Sequence, residues 1–154
     1  MSSYVSTELR ALVARRADWL CEYCLIAEED TFLGCHVDHV ISEKHGGPTS
    51  ADNLAYACVF CNQAKGSDVG SIIKSSGAFC RFFNPRTDRW ADHFSLSGVR
   101  IEPVTEIGEV TARILGFNSL EQLFERHALM LRGRYPSSAA RTRLGNQSLP
   151  RNGE

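Results

Sequence analysis

Along the first twenty residues the apolar positions Leu9, Leu12, Val13 and Leu20 recur at the spacing of one helix face, and Ser6 or Thr7 stands where a cap is needed. The pattern predicts a helix over 6–20. A loop carrying Glu28, Glu29 and Asp30 follows, and then the period shortens: CHVDHVI, residues 35–41, alternates as a strand does and is closed by the turn signal KHGGPT. NLAYAC reads as a second strand, and CNQAKGS begins a helix. Beyond Phe79, the segments FCRFFN, DRWADHFSL and VRIEP read as short strands, with NPRT as the turn between the first two. The aromatic residues of this stretch predict the core of an added hairpin. Thr105 opens a helix through Ile107, Val110, Ile114 and Leu115. Ser119 and Gln122 form a capping-box pattern ahead of a further helix, Leu120 to about Leu131. Its stripe of Leu120, Leu123, Phe124 and Leu131 suits packing, and equally a dimer face or a docking helix. After Pro136 the chain is poor in apolar residues and predicts a loose tail.

This order of elements belongs to the α+β class. At 154 residues the chain is long enough for one domain. We expect that domain over 1–136, with a core at about 19–66, a β extension at 79–101, helices at 105–132 and a flexible basic tail at 137–154. No run approaches 18 apolar residues, and Arg10, Arg15 and Arg16 interrupt the N-terminal segment, so neither a membrane span nor a signal peptide is expected. The expected location is cytoplasmic, where thiols stay reduced. A net charge of −1 advertises no global attraction to nucleic acid. Charge is uneven, however: arginines 132, 134, 141, 143 and 151 face only Glu154 after His127. Such a local basic segment can meet phosphates even in a near-neutral chain.

In a reducing compartment paired cysteines hold metal more often than they form disulfides. Cys21 and Cys24 form one C-x2-C pair, and Cys58 and Cys61 form another. Two such pairs supply four sulfurs to one tetrahedral ion, so the spacing predicts a structural Zn²⁺, saturated and without an open position for water. The 33 residues between the pairs then form a substructure held by the metal. Cys35 and Cys80 remain, and read as small buried apolar residues.

Between and beside the knuckles lie Asp38, His39, Asn53 and Asn62. A neutral imidazole can take a proton from water near neutral pH, while a carboxylate and an amide oxygen are hard ligands suited to Mg²⁺ or Mn²⁺. Together these are what phosphodiester hydrolysis needs: an activated water, a cation for the developing charge, and a brace to hold both. One geometric obstacle stands out. Neighbours on a regular strand point to opposite faces, so Asp38 and His39 reach one site only where the strand ends, twists or bulges.

The run CEYC, VDHVISEKHGGPTSADNL, CVFCNQAK resembles the HNH endonuclease family in its four-cysteine form, over about residues 19–66. The resemblance implies two antiparallel strands and a helix around one catalytic metal (a ββα-metal core). It further implies His39 as general base, Asn53 as loop brace, and Asp38 with Asn62 as ligands of a catalytic Mg²⁺ or Mn²⁺. The third motif position is Asn62 rather than histidine, an H-N-N variant, and the harder oxygen favours Mg²⁺ or Mn²⁺ over Ni²⁺ or Zn²⁺. The implied activity is endonucleolytic hydrolysis of DNA. One site cuts one strand, so double-strand cleavage takes a homodimer or sequential nicks. A non-catalytic zinc-framed binding module is the rival reading, and a structure-selective or RNA nuclease would share the chemistry. Lys65, His45, Arg86 and Arg89 are candidate contacts to the nucleic acid. His36 is a secondary candidate for the site, and His93 reads as a structural polar residue.

Overall fold

The computed structural model describes residues 4–145. Helix α1, Thr7–Arg16, is capped by the Ser6 side chain, which accepts from the Leu9 amide at 3.1 Å. It stops short of the expected residue 20 because Asp18 and Trp19 both adopt positive φ, 53° and 58°, which breaks the helical repeat. The chain then enters the first cysteine pair. Strand β1, Cys35–His39, pairs antiparallel with β2, Leu54–Cys58, so that His39 lies opposite Leu54 and Cys35 opposite Cys58. Helix α2, Val59–Lys65, follows directly and packs against both strands. One face of this hairpin meets α1 through Val13, Ala14, Leu54 and Tyr56, with Cys35 and Val37 against them.

The next strands depart from expectation. Strand β4, Phe79–Arg81, pairs with an upstream β3, Gly70–Ile72, not with the segment after NPRT. Asn84 and Asp88 close a tight turn in which the Asn84 carbonyl accepts from the Asp88 amide at 2.8 Å and the Asp88 carboxylate accepts from the Asn84 amide at 2.8 Å. That turn delivers the chain into a one-turn helix α3, Trp90–His93, where a strand was expected. Strands β5, Phe94–Ser97, and β6, Arg100–Pro103, then form a hairpin of their own. The aromatic residues of this stretch do enter the core, from a turn, a helix and a strand: Phe83, Trp90 and Phe94 are buried, and their rings meet in a chain with Tyr23 and Phe117.

Helix α4, Glu106–Ile114, is capped by Thr105, and α5, Leu120–Leu131, by Ser119. On α5 the expected packing face is inverted. Leu120, Phe124 and Leu131 are 87%, 77% and 74% exposed, whereas Gln122, Arg126 and Leu129 are buried. The cause is Arg126, whose guanidinium donates to the carbonyls of Val99, at 2.8 Å, and Phe117, at 2.6 Å. Buried carbonyls without a partner are costly, so the helix turns its polar face inward to satisfy them. The expected tail is also corrected. Ser137 caps a short helix α6, Ser138–Arg143, which buries Ala140 and Leu144 in the main core. The rest of that segment, with Arg151, lies outside the described residues. No helix among the described residues is long and apolar enough to cross a membrane.

Candidate metal centre and active site

Cys21, Cys24, Cys58 and Cys61 are all buried, and their sulfurs lie within 4.8 Å of one another. The Cys24 and Cys58 sulfurs are 3.8 Å apart. A tetrahedron with zinc–sulfur bonds of about 2.3 Å has an edge of about 3.8 Å, so the cluster has the dimensions of a four-thiolate zinc site. The thiols also compete for charge. Burial opposes ionisation of Cys21, but hydrogen bonds from Cys24, Cys58 and Cys61 hold it well below the ordinary thiol range. Its hydrogen bond with Cys21 pushes Cys24 well up, and Cys61 is pushed up in the same way. A central dication is what lets all four ionise together. The four buried cysteines suit a structural zinc.

The first knuckle is clamped by residues far along the chain. Trp90 Nε1–H donates to the Tyr23 carbonyl at 2.8 Å, and the Tyr135 hydroxyl donates to the Cys24 carbonyl at 2.9 Å. Glu22, only 2% exposed, accepts from the Tyr56 amide at 2.8 Å. Burial pushes its carboxyl up, and the guanidiniums of Arg86, Arg143 and Arg16 oppose that push. Arg86 donates to it directly.

On the other side of the hairpin, Asn53 is buried and makes three hydrogen bonds to the loop between the strands. Its Oδ1 accepts from the Ile41 amide at 2.9 Å, and its Nδ2 donates to the carbonyls of Ile41, at 2.8 Å, and Pro48, at 2.9 Å. The loop is drawn so tightly that a Cβ on Gly47 would fall 1.7 Å from the Ile41 carbonyl oxygen, so only glycine fits there. His39 ends β1, and its ring reaches into this loop, where Nε2 lies 2.8 Å from the Thr49 hydroxyl. The Asp38 carboxylate turns instead toward α2, where Lys65 Nζ meets Oδ2 at 3.0 Å and donates to the His39 carbonyl at 2.9 Å. Burial raises the Asp38 carboxyl above its usual range, and Lys65 opposes that shift. Asn62, half-buried, sits in the first turns of α2. The strand end and α2 thus surround one corner of the hairpin, with the carboxylate and the imidazole engaged by different elements.

Two of the four residues proposed from sequence to touch nucleic acid are not free to do so here. Lys65 is 2% exposed and committed to Asp38 and His39, and the Arg86 side chain is 12% exposed and committed to Glu22. Helical spacing sets Lys65 beside Asn62 but does not say which acid the long side chain finds. Arg89 and His45 are exposed, as is His36 on β1. His93 Nδ1 is 2.7 Å from the Thr105 hydroxyl, in keeping with a structural role. Glu43 and Thr49 were not singled out from the sequence, although the loop between His39 and Asn53 contains both.

Comparison with protein-family models matches residues 21–68, less than a third of the chain, to the family described as HNH endonuclease. No curated protein and no solved structure matches the chain.

Proposed function

We propose, from the match of residues 21–68 to the HNH endonuclease family, that the protein is a metal-dependent endonuclease that hydrolyses phosphodiester bonds in DNA. The observation that carries the reading is the loop built around His39. A buried asparagine clamps it through three hydrogen bonds, which is the bracing a general base requires.

In this mechanism His39 accepts a proton from a water molecule, and the resulting hydroxide attacks phosphorus. Asn53 fixes the loop against which the ring rests. Asp38 and Asn62 are the residues that would hold the divalent metal, which supplies positive charge for the crowded phosphoryl transition state and the departing 3′-oxygen. The donor set suits such an ion in kind, since both oxygens are hard ligands; Asp38 Oδ2 is itself paired with the Lys65 ammonium at 3.0 Å. Lys65 steadies the Asp38 carboxylate and the backbone of His39 together. Arg89 and His45 remain the exposed candidates for phosphate contact.

The test is cleavage of plasmid, linear, single-stranded, branched and RNA substrates, with Mg²⁺, Mn²⁺, Ni²⁺ and Zn²⁺ compared. DNA cleavage with Mg²⁺ or Mn²⁺ is expected, and a clear preference for Ni²⁺ would overturn the ligand assignment. His39→Ala should lower the rate by about 10²- to 10⁴-fold with DNA binding retained. A wild-type protein that binds DNA and cuts nothing under any of these metals is instead a zinc-framed binding module.

A further inference from the structure

We propose that Thr49 and Glu43 are positioning residues for His39: they hold its ring with the proton on Nε2 and leave Nδ1 as the atom that takes the proton from water. The inference deepens the reading of His39 as general base and rests on it for its catalytic half.

The argument follows three distances. His39 Nε2 is 2.8 Å from Thr49 Oγ1. Thr49 Oγ1 donates to Glu43 Oε1 at 3.2 Å. Glu43 Oε1 itself lies 3.9 Å from Nε2. A hydroxyl carries one proton, and an ionised carboxylate only accepts. The Thr49 proton is therefore committed to Glu43, and the hydroxyl oxygen must accept at its other contact. The donor at that contact is Nε2–H. The opposite tautomer would turn the Thr49 proton to the ring and leave the Glu43 carboxylate facing a bare oxygen. The nearby negative charge adds to the preference for a proton on Nε2.

A neutral imidazole protonated on Nε2 has its lone pair on Nδ1. Among the described residues, Nδ1 of His39 has no hydrogen-bond partner, so that lone pair is left for water. In the step itself, water gives one proton to Nδ1, the hydroxide oxygen bonds to phosphorus, and the P–O3′ bond breaks. The leaving oxygen takes a proton from solvent. The ring becomes an imidazolium with its Nε2 proton still on Thr49, and Glu43 lies close enough to stabilise the new charge. The same Asn53 bonds that clamp Ile41 and Pro48 set the loop carrying both residues, Glu43 in a short 3-10 turn and Thr49 just after Pro48.

The tautomer is read directly by long-range ¹H–¹⁵N NMR of the zinc-loaded protein at mildly alkaline pH, with His39 assigned by its loss in His39→Ala. The expected spectrum shows protonation on Nε2. Thr49→Val, which keeps the shape and removes the hydroxyl, should give a mixture of tautomers, and Thr49→Ser should restore the wild-type pattern. In cleavage assays Thr49→Val should lower kcat about 10- to 100-fold, less than loss of the base itself, with KM changed by less than about twofold. Thr49→Ser should recover most of the rate, and Glu43→Gln should fall between. A wild-type ring protonated on Nδ1, or a Thr49→Val enzyme with full kcat, overturns the proposal. A wild-type protein that cleaves no substrate defeats the nuclease reading and the catalytic half of this one, whereas the tautomer stands or falls on the NMR alone.

Discussion

Replacing Lys65 by methionine keeps most of the side chain's length and its apolar stem while removing the ammonium. That group lies 3.0 Å from Asp38 Oδ2 and 2.9 Å from the His39 carbonyl, on a side chain 2% exposed. Removing one partner of a buried ion pair costs roughly 3–5 kcal/mol, because the other charge is left without compensation. The Asp38 side chain keeps 13% of its exposure, so water can reach part of the freed carboxylate. The lower end, about 3 kcal/mol, is the appropriate figure. With a urea m-value of about 2 kcal/mol/M, the midpoint of the zinc-loaded protein should fall by about 1.5 M, followed by far-UV circular dichroism. Lys65→Met combined with Asp38→Asn should recover part of the loss, with a coupling of about 2 kcal/mol. Mn²⁺ should restore stability to the single variant by taking the place of the ammonium, and should not do so in the double variant. A midpoint shift below about 0.3 M, or strictly additive variants, would refute the account of this pair.

Other outcomes follow from the same geometry. Cys58→Ser, or treatment with a strong chelator, should unfold the protein, since structural zinc contributes about 10–16 kcal/mol in small sites, as much as a typical domain's whole stability. Retained native circular dichroism after zinc release would contradict this. Asn53→Ala removes three hydrogen bonds from a buried position and should cost roughly 2–3 kcal/mol. It should also loosen amides 41–47 in hydrogen exchange, and unchanged protection there would count against the brace. Asp88 offers a pH test. Burial pushes its carboxyl up, but Arg81, at 2.7 and 3.0 Å, and the Asn84 amide outweigh that and hold it below its ordinary value. On acidification the unfolded chain therefore binds this proton first. The contribution is complete above about pH 4 and is lost as pH falls through the folded value. Asp88→Asn should be less stable than wild type at neutral pH and lose less in acid, and parallel acid limbs would exclude the pair as a source of stability.

The four-cysteine frame and the hairpin with its helix were legible because each is written in local chemistry. Doubled C-x2-C spacing, strand alternation and a glycine turn all act over a few residues. The expectations that failed depended on partners far away. NPRT looked like a hairpin turn, but the Asp88 carboxylate folds it onto itself, and β4 finds its partner upstream in Gly70–Ile72. The stripe on α5 looked like a core face until two carbonyls, of Val99 and Phe117, claimed Arg126. Lys65 and Arg86 looked like free cations, and each instead serves a carboxylate, Asp38 and Glu22. The Thr49–Glu43 contact to His39 was hidden for a related reason: spacing alone does not say how the loop between β1 and β2 curls over the strand it leaves.

The clamps on the first zinc knuckle bear on modularity. Its peptide groups and the Glu22 carboxylate are held by Arg86, Trp90 and Tyr135, between 64 and 111 residues downstream. Excised alone, residues 21–68 would keep every metal ligand yet carry a buried acid stripped of its guanidinium and two carbonyls stripped of their donors. The family segment is thus not a cassette that can be lifted into another protein. During synthesis, the knuckle gains its last clamp only once Tyr135 has left the ribosome.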